Sequence, residues 1–218
     1  MDTGLKDKVA LITGAGGGIG TALVRAFAEE GARPVVHYRS SKRRAEAAAA
    51  ECNGIALQAD LTVEREVDAL FSKAIEKLGT VDVLVANAGD WPPEDRPLWD
   101  MSLERWRTTV AANLDTVFLS CRAFLRHVTK TKTGNIVLIG STAGLIGEAG
   151  HSDYAAAKAA VSGGLLLSLK NEITRIAPEG RVNAVCPGWT LTDMARDALA
   201  GDSARRKITR TMALDKVG

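Results

Sequence analysis

The stretch that most constrains the fold of this 218-residue chain lies near its N-terminus. Val9-Ala10-Leu11-Ile12-Thr13 runs straight into Gly14-Ala15-Gly16-Gly17-Gly18-Ile19-Gly20 and on into a segment where Ile19, Leu23, Ala26 and Phe27 recur with helical period and Gly31 marks the stop. An apolar strand, a glycine turn and a helix bring unsatisfied backbone N–H groups and the positive end of a helix dipole to one point, which suits a pyrophosphate. In this arrangement Gly14 permits the tight turn, Gly18 the close approach and Gly20 the packing of helix on strand. The glycines alone would equally describe a flexible turn. The strand before them and the helix after them favour a nucleotide-binding start.

The rest of the chain alternates strand and helix patterns. Strands are expected at Pro34 to Tyr38, Ile55 to Ala59, Val81 to Ala86, Asn135 to Ile139 and Val182 to Cys186. Between them run a basic, alanine-rich helix from Lys42 to Cys52, a stripe of Val63, Val67, Leu70, Phe71, Ala74 and Leu78 ended by Gly79, and a long segment from Tyr154 to Ile176. The near-continuous apolar run at Val81 to Ala86 suits a central parallel strand. Right-handed crossovers then give an α/β fold: a Rossmann-type doubly wound parallel sheet with helices on both faces. A single domain over residues 1–218 is expected, with its ligand across the carboxyl ends of the strands. The Ala, Ser and Gly of the long segment's early turns fit either a self-association face or close packing on the sheet.

Composition excludes several function classes. With 46% hydrophobic and 25% charged residues and a net charge of +2, the chain reads as an ordinary globular protein. The clusters Lys42-Arg43-Arg44 and Arg205-Arg206-Lys207 are short and lack interleaved aromatics, so they read as solvated helix faces and no nucleic acid partner is expected. Cys52, Cys121 and Cys186 are odd in number and far apart, which argues against a disulfide framework or a metal site and for a reducing, cytoplasmic setting. Asp2, Lys6, Asp7 and Lys8 stand where a signal core would be apolar, and the run from Leu165 to Leu169 is too short to span a bilayer, so no membrane association is expected.

Between Ser141 and Lys158 the chain offers a hydroxyl, a phenol and an ammonium. Tyr154 and Lys158 share one face of a helix at their spacing. A nearby positive charge lowers a phenol pKa of about 10 by roughly 1 to 3 units, which would make Tyr154 a better proton shuttle. Taken alone, the pair reads first as an ordinary helix-surface contact.

Taken together, Thr13-Gly14-x-x-x-Gly18-x-Gly20, Asn87-Ala88-Gly89 after the fourth strand, and Tyr154-x-x-x-Lys158 preceded by Ser141 resemble the short-chain dehydrogenase/reductase family, over nearly the whole chain from about Lys6 onward. Within it the pattern is similar to 3-oxoacyl-acyl-carrier-protein reductases and to sugar or small-ketone dehydrogenases. The resemblance implies a catalytic set of Ser141, Tyr154, Lys158 and Asn113. Asn113 would support a water beside the lysine. It falls with Trp106, Val110 and Val117 on an inward helix face, where a hydrogen-bonded structural asparagine is the other reading.

The resemblance also implies the cofactor site. Thr13, Gly14, Gly18, Ile19 and Gly20 would hold the pyrophosphate, and Asn87, Ala88 and Gly89 would border the adenosine. Asp60, beside Leu61, would accept from the adenine amino group. Tyr154 and Lys158 would reach the ribose, and Pro187, Gly188, Thr190 and Thr192 would cover the nicotinamide end, with Thr192 contacting the carboxamide or the pyrophosphate. Where an NAD-preferring site usually offers an acid, this chain offers Arg39, Ser40 and Ser41, so NADP(H) is preferred and NAD(H) admitted. The opposing reading is that Arg39 points to water, and the neutral Gly17 weakens discrimination between the two cofactors. The loop from Asp90 to Asp100, with Trp91 and Trp99, lines a substrate pocket or packs its tryptophans on the domain.

The implied activity is a hydride transfer between nicotinamide and a carbonyl or secondary alcohol, on a 3-oxoacyl thioester, ketone or sugar, by a homotetramer or homodimer. The rivals are a non-catalytic dinucleotide-binding sensor or assembly protein, against which the intact Ser141, Tyr154 and Lys158 argue, and a redox-neutral dehydratase or epimerase. The family continues through one more helix and strand. Asp215-Lys216-Val217-Gly218 reads as the point just before them, so the chain is expected to lack both, as a truncated sequence would.

Overall fold

The computed structural model describes residues 2–192, 196, 209, 217 and 218; the basic cluster at 205–207 and residues 215–216 lie outside them. Parallel strands β1 (Val9–Ile12), β2 (Arg33–Tyr38), β3 (Ile55–Gln58), β4 (Val83–Ala86), β5 (Asn135–Ile139) and β6 (Arg181–Val185) form one sheet in the order β3-β2-β1-β4-β5-β6. Leu11 registers with Val35 on one side and Leu84 on the other. The strand order reverses beside β1, so the crevice at the carboxyl ends of β1 and β4 is the switch point where open sheets of this kind bind ligands.

The apolar strands are continuous because both sheet faces are covered. Successive side chains point to opposite faces, and Val9 and Leu11 join one core while Ala10 and Ile12 join the other. Over the first face lie α3 (Glu64–Leu78), α5 (Thr116–Thr131) and α8 (Leu166–Ile173), contributing Phe71, Phe124 and Ile173. Over the second lie α1 (Gly18–Glu29) and α2 (Lys42–Glu51), whose Val24, Ala45 and Ala48 are buried. A fully buried Leu or Phe contributes about 1.5–3 kcal/mol, so these interdigitated layers supply most of the cohesion. Gly79 closes α3 in the left-handed region, at φ 86°.

The remaining helices are α4 (Leu103–Val110), α6 (Ala143–Ile146) and α7 (Ser152–Ala160). Two stretches expected as plain α-helix each carry a π-helical segment, Ala111–Asp115 between α4 and α5 and Val161–Leu165 between α7 and α8. A single wider turn inside a helix carries no residue type that marks it, so the sequence pattern does not reveal it. One segment contains Asn113 and the other starts just beyond Lys158. Close approach of α6 to α7 explains one small residue, since a Cβ on Gly144 would lie 2.6 Å from the backbone of Ala159. Gly163 and Gly164, by contrast, would meet nothing within 4 Å, so packing on the sheet does not account for them. Among the described residues no helix is long and apolar enough to cross a membrane.

Candidate active site

The glycine turn is fixed from below. Thr13 is buried; its Oγ1 accepts the N–H groups of Asn87 and Ala88, both at 2.9 Å, and Asn87 Nδ2 donates to Thr13 O at 2.8 Å. The carboxyl ends of β1 and β4 are thereby stitched together, and Thr13 supports the cleft from behind without lining it. Gly14 sits at φ 63°, and a Cβ there would lie 2.8 Å from Ala88 Cα, so glycine is required twice over. At the end of β2, buried His37 adds a third tie: Nδ1 accepts from Gly14 N–H and Nε2 donates to Ala59 O, each at 3.0 Å. Burial pushes this imidazole down to about 4. Gly20 packs on the turn itself, 2.6 Å from Ala15 Cα to a built Cβ, and not on a strand as expected.

Helix α1 begins without a side-chain cap and without an acid in its first turn, and Gly18, Ile19 and Gly20 line a cleft of about 280 Å³. Its opening N–H groups have no partner within the helix and lie at the positive end of its dipole. A Cβ on Gly18 would lie 2.7 Å from Thr192 Cγ2, so Thr192 closes over the turn at that point. Bare donors, a positive helix end and no side-chain volume fit a dinucleotide pyrophosphate.

Beyond the turn the expected residues and the observed ones diverge. Arg39 and Ser40 are exposed and do not border the cleft. Ser41 and Arg44, at the cap and in the first turn of α2, do. A Cβ on Gly16 would lie 2.8 Å from Ser41 Cβ, which shows how directly α2 overhangs the turn. As part of the short Lys42-Arg43-Arg44 cluster, Arg44 reads in sequence as a solvated face. Its signal was its place in the helix that follows β2 at once. Leu61 is buried in the core, and the Asp60 carboxylate is taken by Thr62, whose Oγ1 and N–H donate at 2.7 and 2.9 Å and hold the acid below its usual range. Neither Asp60 nor Leu61 borders the cleft.

At the opposite end, Ser141 follows β5, accepts from Ala143 N–H at 3.2 Å and lines the cleft together with Tyr154. Lys158, one helical turn beyond Tyr154, is buried; its Nζ donates to Ile139 O at 3.0 Å and lies 5.7 Å from the phenol ring centroid. The expected lowering of the phenol by this cation does not appear. Burial pushes Tyr154 above its ordinary range, the nearby Ser141 hydroxyl opposes that rise and the Asp90 charge adds to it. The ammonium faces the end of β5, and its own burial pushes it down to about 8.

Asn113, wholly buried in its π-helical turn, donates to Asp90 O at 2.8 Å and Thr109 O at 3.0 Å and accepts from Asp90 N–H at 3.2 Å. It pins the loop after β4 above Lys158 and does not line the cleft. Gly89 permits this closeness, since a Cβ there would lie 2.6 Å from Asn113 Oδ1 and 3.2 Å from Lys158 Nζ. Pro187, Gly188 and Thr190 border the cleft as expected.

Sequence reasoning left open where the tryptophans go, and they divide. Trp99 is 90% exposed, whereas Trp91 lines the cleft with its ring edge-on to Tyr154 at 4.9 Å. An ion pair between half-buried Arg105 and buried Asp153 fixes the base of this end: Arg105 Nε bonds Asp153 Oδ2 at 3.0 Å, and Asp153 also accepts from Thr109 Oγ1 at 2.7 Å and from Tyr154 N–H at 2.9 Å. Burial acting upward on this carboxyl is outweighed by those bonds, which hold it below the usual range. No spacing in the sequence marks Arg105 and Asp153 as partners. Among the described residues no cluster of His, Cys, Asp or Glu could hold a metal ion.

A family profile described as short chain dehydrogenase matches residues 8–202. A 3-oxoacyl-[acyl-carrier-protein] reductase from Synechocystis sp. is 41% identical over 201 residues, spanning 89% of this chain and 79% of that one. A cis-4-hydroxycyclohexanecarboxylate dehydrogenase from Sinomonas cyclohexanicum is 35% identical across 100% of this chain and 88% of its own. A solved structure described as "Crystal structure of gox2181" superposes with a TM-score of 0.89 at 29% identity, covering 98% of this chain and 84% of that one. With the cleft at the sheet's switch point and Ser141, Tyr154 and Lys158 gathered at one end of it, the chain belongs to the short-chain dehydrogenase family, a nicotinamide-dependent oxidoreductase acting on CH–OH and carbonyl groups.

Proposed function

We propose that the protein is an NADP(H)-preferring reductase of a small ketone or 3-oxoacyl compound, with Ser141, Tyr154 and Lys158 as its catalytic residues. The observation that carries this reading is that Ser141, Tyr154 and buried Lys158 line one cleft together with the bare N-terminus of α1. Bound there, reduced nicotinamide supplies a hydride to the carbonyl carbon. Tyr154, held protonated by burial, gives its proton to the developing alkoxide. Ser141 donates to the same oxygen, its own acceptor side being occupied by Ala143 N–H. Lys158 holds the ribose hydroxyls and places positive charge beneath the site. Asn113 fixes the loop beside that lysine, which supports a positioning role.

The NADP(H) preference now rests on Arg44 with Ser41, where a guanidinium and a hydroxyl can meet a ribose phosphate, and not on Arg39. Both curated relatives carry names of enzymes acting on a carbonyl or alcohol carbon, which supports the reaction class. We read the chain as one dinucleotide-binding and catalytic unit, cytoplasmic, and a homotetramer or homodimer. Exposed Phe118 on α5 and Leu167 on α8, with the bare surface at Gly163 and Gly164, support association through these helices. The test is loss of the reduced-nicotinamide absorbance with NADPH and NADH in parallel, against ketones, 3-oxoacyl thioesters and sugars. Substrate-dependent loss, faster with NADPH, is expected. Dinucleotide binding without any consumption would refute the reading.

A further inference from the structure

Trp91 is held as a fixed wall. Its ring stacks on His151 with centroids 3.9 Å apart and planes 18° from parallel. His151 is itself buried, with its ring nitrogens 3.0 Å from Pro92 O and 3.3 Å from Ala149 O. The loop carrying Trp91 is tied down further: Arg105 donates to Glu94 O at 2.6 Å and to Gly150 O at 3.3 Å, and Arg96 N–H donates to Gly150 O at 2.9 Å. Across from it, Trp189 meets Trp91 at 5.4 Å with planes 70° apart, and the Tyr154 ring closes a third side at 4.9 Å. Two indoles set nearly at right angles form a corner. A corner touches a compact body on two sides at once, whereas an extended flexible chain meets one wall and loses more conformational freedom on binding.

Charge narrows the choice further. Asp90 and Glu148 line the same cleft, and the Asp90 field reaches the Tyr154 phenol. Among the described lining residues the cations are Arg44, which sits with Ser41 beside the glycine turn, and Lys158, whose ammonium bonds Ile139 O. A substrate anion there would share the cleft with two carboxylates, while among the described lining cations Arg44 lies at the glycine turn and Lys158 is turned to Ile139 O.

We propose that Trp91 and Trp189 are specificity-determining residues, and that they select a compact, uncharged ring ketone or ring alcohol over an open-chain thioester or an acid. This rests on the oxidoreductase reading above. The experiment compares kcat/KM, with reduced dinucleotide, for cyclohexanone, a cyclohexanone carboxylate and an acetoacetyl N-acetylcysteamine thioester. It uses the wild-type chain and the variants Trp91→Ala, Trp91→Phe, Trp189→Ala and Trp189→Phe, each checked for unchanged dinucleotide affinity. Cyclohexanone is expected to exceed both other substrates by about tenfold or more, with that ratio falling about tenfold in either alanine variant and less in the phenylalanine variants.

A thioester preferred by the wild type, or a ratio untouched by the substitutions, overturns the proposal while leaving the oxidoreductase reading intact. Binding is read separately, as quenching of indole fluorescence when cyclohexanol is added to the protein with its dinucleotide. Saturable quenching lost in Trp91→Ala, without turnover of any substrate, would refute the reaction and uphold the ring site. No quenching at all overturns the ring site.

Discussion

At the end of the cleft that we assign to the dinucleotide, the groups on offer are backbone N–H groups of α1 and glycines that leave room for them, all within a few residues of one another. At the other end they are side chains from separate segments: Trp91 after β4, Ser141 after β5, Tyr154 and Lys158 on α7, Trp189 after β6. A backbone site needs only the right turn to exist. A side-chain site needs every supporting contact to survive, which is why it is underlain by the Arg105–Asp153 pair and by Asn113. The two ends should therefore fail independently and in different ways.

The largest effect expected is from Tyr154→Phe. Removing the proton donor should lower kcat by about a thousandfold or more while the dinucleotide dissociation constant, measured by titration, stays within about threefold. Substantial residual turnover would contradict the role of Tyr154, and a parallel loss of dinucleotide affinity would break the independence of the two ends. Next comes Arg105→Ala, which takes the counter-charge from a fully buried carboxylate and leaves it only the Thr109 and Tyr154 bonds. Loss of one partner of such a pair costs about 3–5 kcal/mol, so thermal unfolding should shift down markedly and kcat should fall with it. If the melting temperature holds, the ion pair is not what supports the substrate end.

The dinucleotide end has a pH liability instead. His37 accepts from Gly14 N–H only when neutral, and its pKa is lowered from 6.5 to about 4 in the folded chain. Below pH 6.5 the unfolded chain takes up a proton that the folded chain refuses. Stability is thus full above that pH and declines as pH falls toward about 4, by about 3 kcal/mol in all. Urea unfolding of wild type and His37→Gln across this window should show a slope attributable to His37 in the first and absent in the second; equal slopes would dismiss it. The smallest effect sharpens the comparison within the dinucleotide end. Arg44→Ala should lower the NADPH-to-NADH ratio of kcat/KM by about tenfold, whereas Arg39→Ala should leave it nearly unchanged. The reverse result would return the phosphate contact to Arg39.

Much of this was legible in the chain alone, because it rests on local physics. Alternating apolar runs and helical stripes gave the doubly wound sheet, and Asn135–Ile139 falls where it was read. Other strand bounds shifted slightly, β4 beginning at Val83 and β3 ending at Gln58, since the flanking Val81 and Ala59 are buried outside the ladder. The glycine turn and the Ser141, Tyr154 and Lys158 constellation depend on residue type at short spacing, which a sequence carries openly.

What only the tertiary structure decided depends on which segments meet. Arg44 replaces Arg39 at the cleft because α2 begins directly over the glycine turn. Lys158 turns to the β5 carbonyl, so burial and not the ammonium governs Tyr154. Trp91 becomes a wall because His151, far along the chain, lies beneath it. Spacing along a chain fixes neighbours within a turn or a strand, whereas the environment that sets a charge, a pKa or an aromatic corner is assembled from residues that no local pattern connects.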